Sequence, residues 1–184
     1  MPEYRRSILP GGTFFFTVVT YHRRKIFSTP LARDLLHAAF EDVKKRYPFT
    51  IDAICLLPDH IHCIWTLPEG DSNYSLRWGE IKRVFSKAYL AQVALQDVKS
   101  ESRLNRGETT LWQRRFWEHT LRDLADYSAH VEYIHYNPVK HGLVENAGDW
   151  QWSSFHRFVA LGYYPVEWVA EGEKKAYLES DYGE

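Results

Sequence analysis

The stretch FTIDAICLLPDHIHCIWTLPEG, residues 49–70, decides the fold. Its two halves, 49–57 and 60–67, are apolar, β-branched and aromatic runs of strand length. Pro58-Asp59 joins them, and Pro68-Glu69-Gly70 stops the second. Turn residues at those two places make the pair a hairpin of neighbouring strands. Toward the N-terminus, TFFFTVVT at 13–20 follows Pro10-Gly11-Gly12 and has the composition of another strand. Between that strand and the hairpin, Thr29 can cap a helix opening with Pro30, and Leu31, Leu35, Ala39, Phe40 and Val43 recur at helical spacing until Pro48. Beyond the hairpin, Leu76, Ile81, Val84, Phe85 and Ala88 form the buried stripe of a long helix, with Arg83 and Lys87 on its opposite side. Residues 115–120 supply a fourth strand, and Asp123 can cap a further helix. The order strand, helix, hairpin, helix, strand, helix predicts an α+β, ferredoxin-like sandwich with helices packed on a mostly antiparallel sheet. Everything after Gly142 is less regular.

A chain of 184 residues, 45% hydrophobic and 16% aromatic, is enough for one well-packed core. The expected organisation is a single domain over 1–165 with a polar insert at about 95–110, followed by an acidic tail over 166–184. No run approaches the roughly 18 apolar residues of a membrane span, and the N-terminus lacks a signal-type apolar region, so a cytoplasmic protein is expected. Cys55 and Cys63 lie inside apolar runs without C-x-x-C spacing, as buried thiols of a reducing compartment do. The net charge of −1 argues at first against a nucleic-acid partner, but six acidic and two basic residues fall after position 165. Positions 1–165 therefore carry 21 basic and 18 acidic residues, a net of +3. The bases cluster beside aromatics at Arg5-Arg6, Arg23-Arg24, Lys82-Arg83 with Lys87, and Arg114-Arg115. Such clusters suit phosphate contact and base stacking, and solvated surface explains any one of them equally well.

The chemistry starts at His60-Ile61-His62. Side chains two apart on a strand share a face, so both imidazoles can grip one metal ion. The competing reading is two incidental histidines, but their four ring nitrogens would then need partners in a core. On the last helix, Leu124, Tyr127, Val131 and Ile134 define the face packed on the sheet. Tyr133 falls well away from that stripe, and Asn137 lies one turn further on the same side. Pro138 limits the helix and places this pair near its end, where a site could open to solvent. Spacing alone favours a plainer reading, in which Tyr133 is a surface aromatic and Asn137 a helix-ending residue.

Three separate motifs alter that balance. LPDHIHCIWTLP (57–68), WQRRFWEH (112–119) and YIHYNPVKHG (133–142), continued by WQWSSF (150–155), resemble the REP-associated tyrosine transposases of the single-tyrosine HUH superfamily. The likeness spans roughly residues 4–168 apart from the polar insert. It implies that His60 and His62 hold a divalent cation, Mg2+ or Mn2+, and that Tyr133 is the nucleophile. Asn137 stands where related transposases often carry Gln as a third ligand, and the resemblance assigns it that role. The implied substrate is single-stranded DNA beside REP-type hairpins, cut and rejoined through a 5′-phosphotyrosine. Arg5, Arg6, Arg23, Arg24, Lys82, Arg83, Lys87, Arg114 and Arg115 are the candidate strand contacts. Two alternatives stay open: a non-catalytic nucleic-acid-binding module, and a small metallohydrolase in which Asp59 serves the His pair as base. The sequence leaves monomer and dimer equally open.

Overall fold

The computed structural model describes residues 8–93, 110–168 and 182–183. Arg5, Arg6, nearly all of the polar insert and most of the acidic tail lie outside them. Four strands, β1 (Thr13–Val19), β2 (Thr50–Leu56), β3 (His60–Thr66) and β4 (Trp117–Thr120), form one sheet in the order β2-β3-β1-β4. All three neighbouring pairs are antiparallel. Helices α1 (Pro30–Arg46) and α2 (Tyr74–Leu90) alternate with these strands as the hydrophobic pattern requires. The caps are as read: Ala32 N–H donates to Thr29 Oγ1 and Asp126 N–H to Asp123 Oδ1.

Alternation along the strands sends side chains to two separate cores. Phe14, Phe16, Cys63 and Trp65 face α1 and α2, where Trp65 stacks on Trp78 at 4.3 Å between ring centres. Both indoles are fully buried, and truncating either to Ala would cost about 3–5 kcal/mol. Phe15, Cys55 and Ile64 face the other way, toward α3 (Leu124–Lys140) and the short α4 (Phe155–Ala160). The sandwich expected from sequence therefore has a third layer, with α3 on the face opposite α1 and α2. Both cysteines are buried and free.

The irregular region after Gly142 covers the outer edge of β2. Leu56 N–H donates to Trp152 O, and Trp150 Nε1 donates to Leu56 O. Ile54 N–H donates to Ser154 Oγ, and Ser154 N–H to Ile54 O. The Arg157 guanidinium donates to the carbonyls of Ile51 and Asp52. Between α3 and this edge runs a cleft of about 590 Å³, lined by Asp52, Tyr127, Arg157 and Tyr163 among others. Tyr127, expected in the core, is half-buried there, and Leu124 is 78% exposed, so the packed face of α3 begins later than its sequence stripe suggests. Among the described residues no helix is long and apolar enough to cross a membrane.

Candidate active site

The two histidines of β3 lie on the α3 face, opposite Val19 and Thr17 of β1. His60 is 1% exposed and His62 fully buried. Their ring centres are 4.7 Å apart with planes near perpendicular. One nitrogen of each ring is held from behind. Asp59 Oδ1 is 2.6 Å from His60 Nδ1, and Arg23 donates to the same carboxylate at 3.0 Å. Burial alone would raise the Asp59 pKa, but the hydrogen bonds from His60 and Arg23 and the Arg23 charge together leave it below the usual carboxylate value. Thr17 Oγ1 donates its proton to the carbonyl of Tyr182 at 2.6 Å, so it accepts from His62 Nδ1 at 2.9 Å. Both rings are thereby set as Nδ1–H tautomers with the lone pair on Nε2. The Nε2 atoms are buried, and that of His60 has no hydrogen-bond partner. A ring fixed from behind by a carboxylate, with its other nitrogen presented inward, is how metal-ligating histidines are oriented.

Helix α3 brings up the second half. Asn137 is fully buried one turn after Tyr133, and Tyr133 is fully buried with its ring centre 5.3 Å from that of His62. The sequence reading placed this pair at a solvent-open helix end, and the structure corrects it. The helix continues past Pro138 to Lys140, where Gly142, at φ +63°, and the Leu143 N–H to Pro138 O bond end it. Tyr182, from the acidic tail, lies over the site: its ring centre is 4.7 Å from that of Tyr133, 5.0 Å from His130 and 6.1 Å from Phe15.

Three residues at the site escaped the sequence reading. Lys140 donates to the Tyr133 hydroxyl at 3.2 Å. Its position seven residues after Tyr133, two helical turns, was a signal open to use. His141, the helix cap, has its ring centre 5.1 Å from that of His60. Thr17 became visible only with the β1-β3 register.

A second group of donors lies one turn before Tyr133. The ligating atoms of His119, Asp126 and His130 are all within 4.8 Å of one another and could hold a metal ion. His119 Nε2 is 2.9 Å from the Asp126 carboxylate, and His130 Nδ1 donates to the Asp126 main-chain carbonyl at 2.8 Å, which leaves His130 Nε2 buried and without a hydrogen-bond partner. Burial lowers the His130 pKa and would raise that of Asp126, which the His119 hydrogen bond and the Arg122 N–H instead hold low. His60 and His62 also fit a resident cation, because both rings are held through Nδ1, which leaves Nε2 as the ligating nitrogen.

The predicted cations are scattered. Arg23, at φ +50°, reaches the site through Asp59. Arg24 donates to the carbonyls of Tyr21 and Thr110. Arg114 and Arg115 are exposed in the segment entering β4, just after Gln113 pairs with Val19 at the His60 end of the sheet. Lys82, Arg83 and Lys87 belong to α2 and so sit across the sheet from Tyr133. Lys82 donates to Gln113 O and Arg83 is paired with Glu80 at 2.7 Å, while Lys87 is exposed.

A sheet-borne His-x-His pair facing a tyrosine on a packed helix is the arrangement that the resemblance to single-tyrosine transposases implies. Known proteins agree. The family described as Transposase IS200 like matches residues 12–137. The REP-associated tyrosine transposase of Escherichia coli (strain K12) is 46% identical over 171 residues, 93% of each chain. A solved structure of the REP-associated tyrosine transposase bound to a REP hairpin covers 100% of this chain and 98% of its own, at 42% identity and a TM-score of 0.78. The chain belongs to the IS200-like transposase family, in its REP-associated tyrosine branch.

Proposed function

We propose that this transposase cleaves and rejoins single-stranded DNA beside REP-type hairpins, with Tyr133 as nucleophile and His60, His62 and Asn137 as the holders of a divalent cation. The observation that carries this reading is a pair of buried imidazoles on β3, each held through Nδ1, beside the Tyr133 ring of α3. A bound cation would polarise the scissile phosphate and offset the charge of its transition state. Mixed imidazole and amide ligation suits Mn2+ better than Mg2+. Tyr133 attacks the phosphorus to give a 5′-phosphotyrosine and a free 3′-hydroxyl, and Asp59 and Thr17 keep the two imidazoles in their ligating tautomers. Because the covalent link conserves the energy of the broken bond, a 3′-hydroxyl can reverse the step and join strands. Arg23, Arg114 and Arg115 are the strand contacts nearest the site, and the cytoplasm is where such a protein meets DNA. The engagement of Asp59 by His60 and Arg23 supports this reading over the hydrolase alternative, which needs that carboxylate for water.

Incubation with hairpin DNA and Mn2+ followed by a denaturing gel tests the proposal. A covalent adduct, lost in Tyr133→Phe and kept in Tyr136→Phe, is expected. Clean hydrolysis or intact DNA would replace the reading by the hydrolase or the binding module respectively.

A further inference from the structure

We propose that Lys140 is a catalytic residue whose ammonium holds the negative charge of the Tyr133 oxygen as that oxygen attacks and, in strand joining, as it leaves. The proposal rests on the reading of Tyr133 as nucleophile. Seven residues separate the two on α3, which returns a side chain to nearly the same face, and a helical side chain leans toward the N-terminus. Lys140 accordingly folds back two turns. Its Nζ is 3.2 Å from the Tyr133 hydroxyl and 5.0 Å from the ring centre. The continuation of the helix past Pro138 is what places it there.

Placement and chemistry point the same way. Tyr133 is fully buried, and a buried phenol gains negative charge only at a large cost unless a cation stands beside it. Away from bulk water that cation acts at a reduced effective dielectric. In cleavage the Tyr133 oxygen forms the bond to phosphorus, the bond from phosphorus to the 3′-oxygen breaks, and its electron pair leaves with that oxygen. The phenolic proton ends on the 3′-hydroxyl by way of solvent, and Lys140 keeps its three protons throughout. In joining, a 3′-hydroxyl forms the new bond to phosphorus as the bond from phosphorus to the Tyr133 oxygen breaks; Tyr133 departs as a phenolate beside the ammonium and then takes up, by way of solvent, the proton that the hydroxyl released.

A lysine that only grips a DNA phosphate would behave differently, and the test separates the two. Single-turnover adduct formation at saturating hairpin DNA with Mn2+, and DNA affinity without metal, are measured for the parent, Lys140→Met, Lys140→Arg and Tyr133→Phe. Met keeps the alkyl stem and removes the charge. Its rate constant should fall about ten- to a hundredfold with affinity unchanged, and Arg should recover most of the loss. A rate equal to the parent's, or a loss confined to affinity, overturns the proposal. An adduct in Tyr133→Phe instead overturns the nucleophile assignment, and this inference with it. Should Lys140→Met fold poorly, the metal-free parent still decides: the ¹⁵Nζ resonance of Lys140 should move in Tyr133→Phe, and an unmoved resonance rejects the contact.

Discussion

Mild acid should destabilise the protein through His135, a residue that contacts no part of the proposed chemistry. Its ring is fully buried on α3, with Nε2 2.8 Å from Ser154 Oγ and Nδ1 3.3 Å from the Tyr164 hydroxyl. Burial, with a smaller contribution from the Arg157 charge, pushes its pKa down to about 3. The unfolded chain binds that proton near pH 6.5, so the stability of the neutral-histidine fold is complete above about pH 7 and declines as pH falls through 6.5. Between about pH 7.5 and pH 5 the loss works out at about 2 kcal/mol. This figure hardly changes if the folded pKa is nearer 4, because only the unfolded state titrates in that interval. For a domain of this size the loss corresponds to a fall of about 4–8 °C in Tm. Burial shifts His130 the same way, so the diagnostic quantity is the difference between parent and His135→Gln. Urea unfolding at several pH values should show a flatter pH dependence in the variant by about 2 kcal/mol over that interval. Equal slopes in the two proteins would refute the argument, whatever their absolute stabilities.

Other expectations follow from the site. Asp59→Asn removes the charge that orients His60 and should weaken Mn2+ binding about ten- to a hundredfold by calorimetry; parent-like affinity would show that the carboxylate does not organise the ligand. Tyr182→Ala clears the ring that lies on Tyr133 and should raise the single-turnover cleavage rate, whereas an unchanged or lower rate would mean that Tyr182 leaves before DNA binds or assists it. Replacing Arg114 and Arg115 by Ala should flatten the salt dependence of DNA binding by about two units of slope, while the same change at Lys82, Arg83 and Lys87 should leave it nearly unaltered. The reverse pattern would move the DNA to the α2 face.

The local features of the chain were legible because they are encoded locally. The 49–70 hairpin, the Thr29 and Asp123 caps and the strand at 13–19 all depend on neighbours in sequence. So do the two pairs that found the site, His60 with His62 and Tyr133 with Asn137, since each rests on one repeat of a strand or helix. The misreading of Tyr133 as solvent-open came from treating α3 as covered on one side only. It is covered by the sheet, by the chain after Gly142 and by Tyr182, none of which periodicity reports. The position of the α2 cations across the sheet from Tyr133 was hidden for a related reason. A helix's polar face can be read from its sequence, but the side of the sheet it occupies is fixed by the path of the whole chain.

The cover over β2 bears on how copies of this protein can meet. An exposed edge strand is a template for another strand, whether from a second copy or from a misfolded neighbour. Here the outward N–H and C=O of both Ile54 and Leu56, and the carbonyl of Asp52, are already bonded to residues 150–157. The segment that begins with Trp150 thus works as a selvage, the finished border that keeps a fabric from being joined or unravelled there. Two molecules cannot fuse their sheets along this border without first unpicking it. A reaction that needs two tyrosines would have to bring them together through the DNA or through another surface.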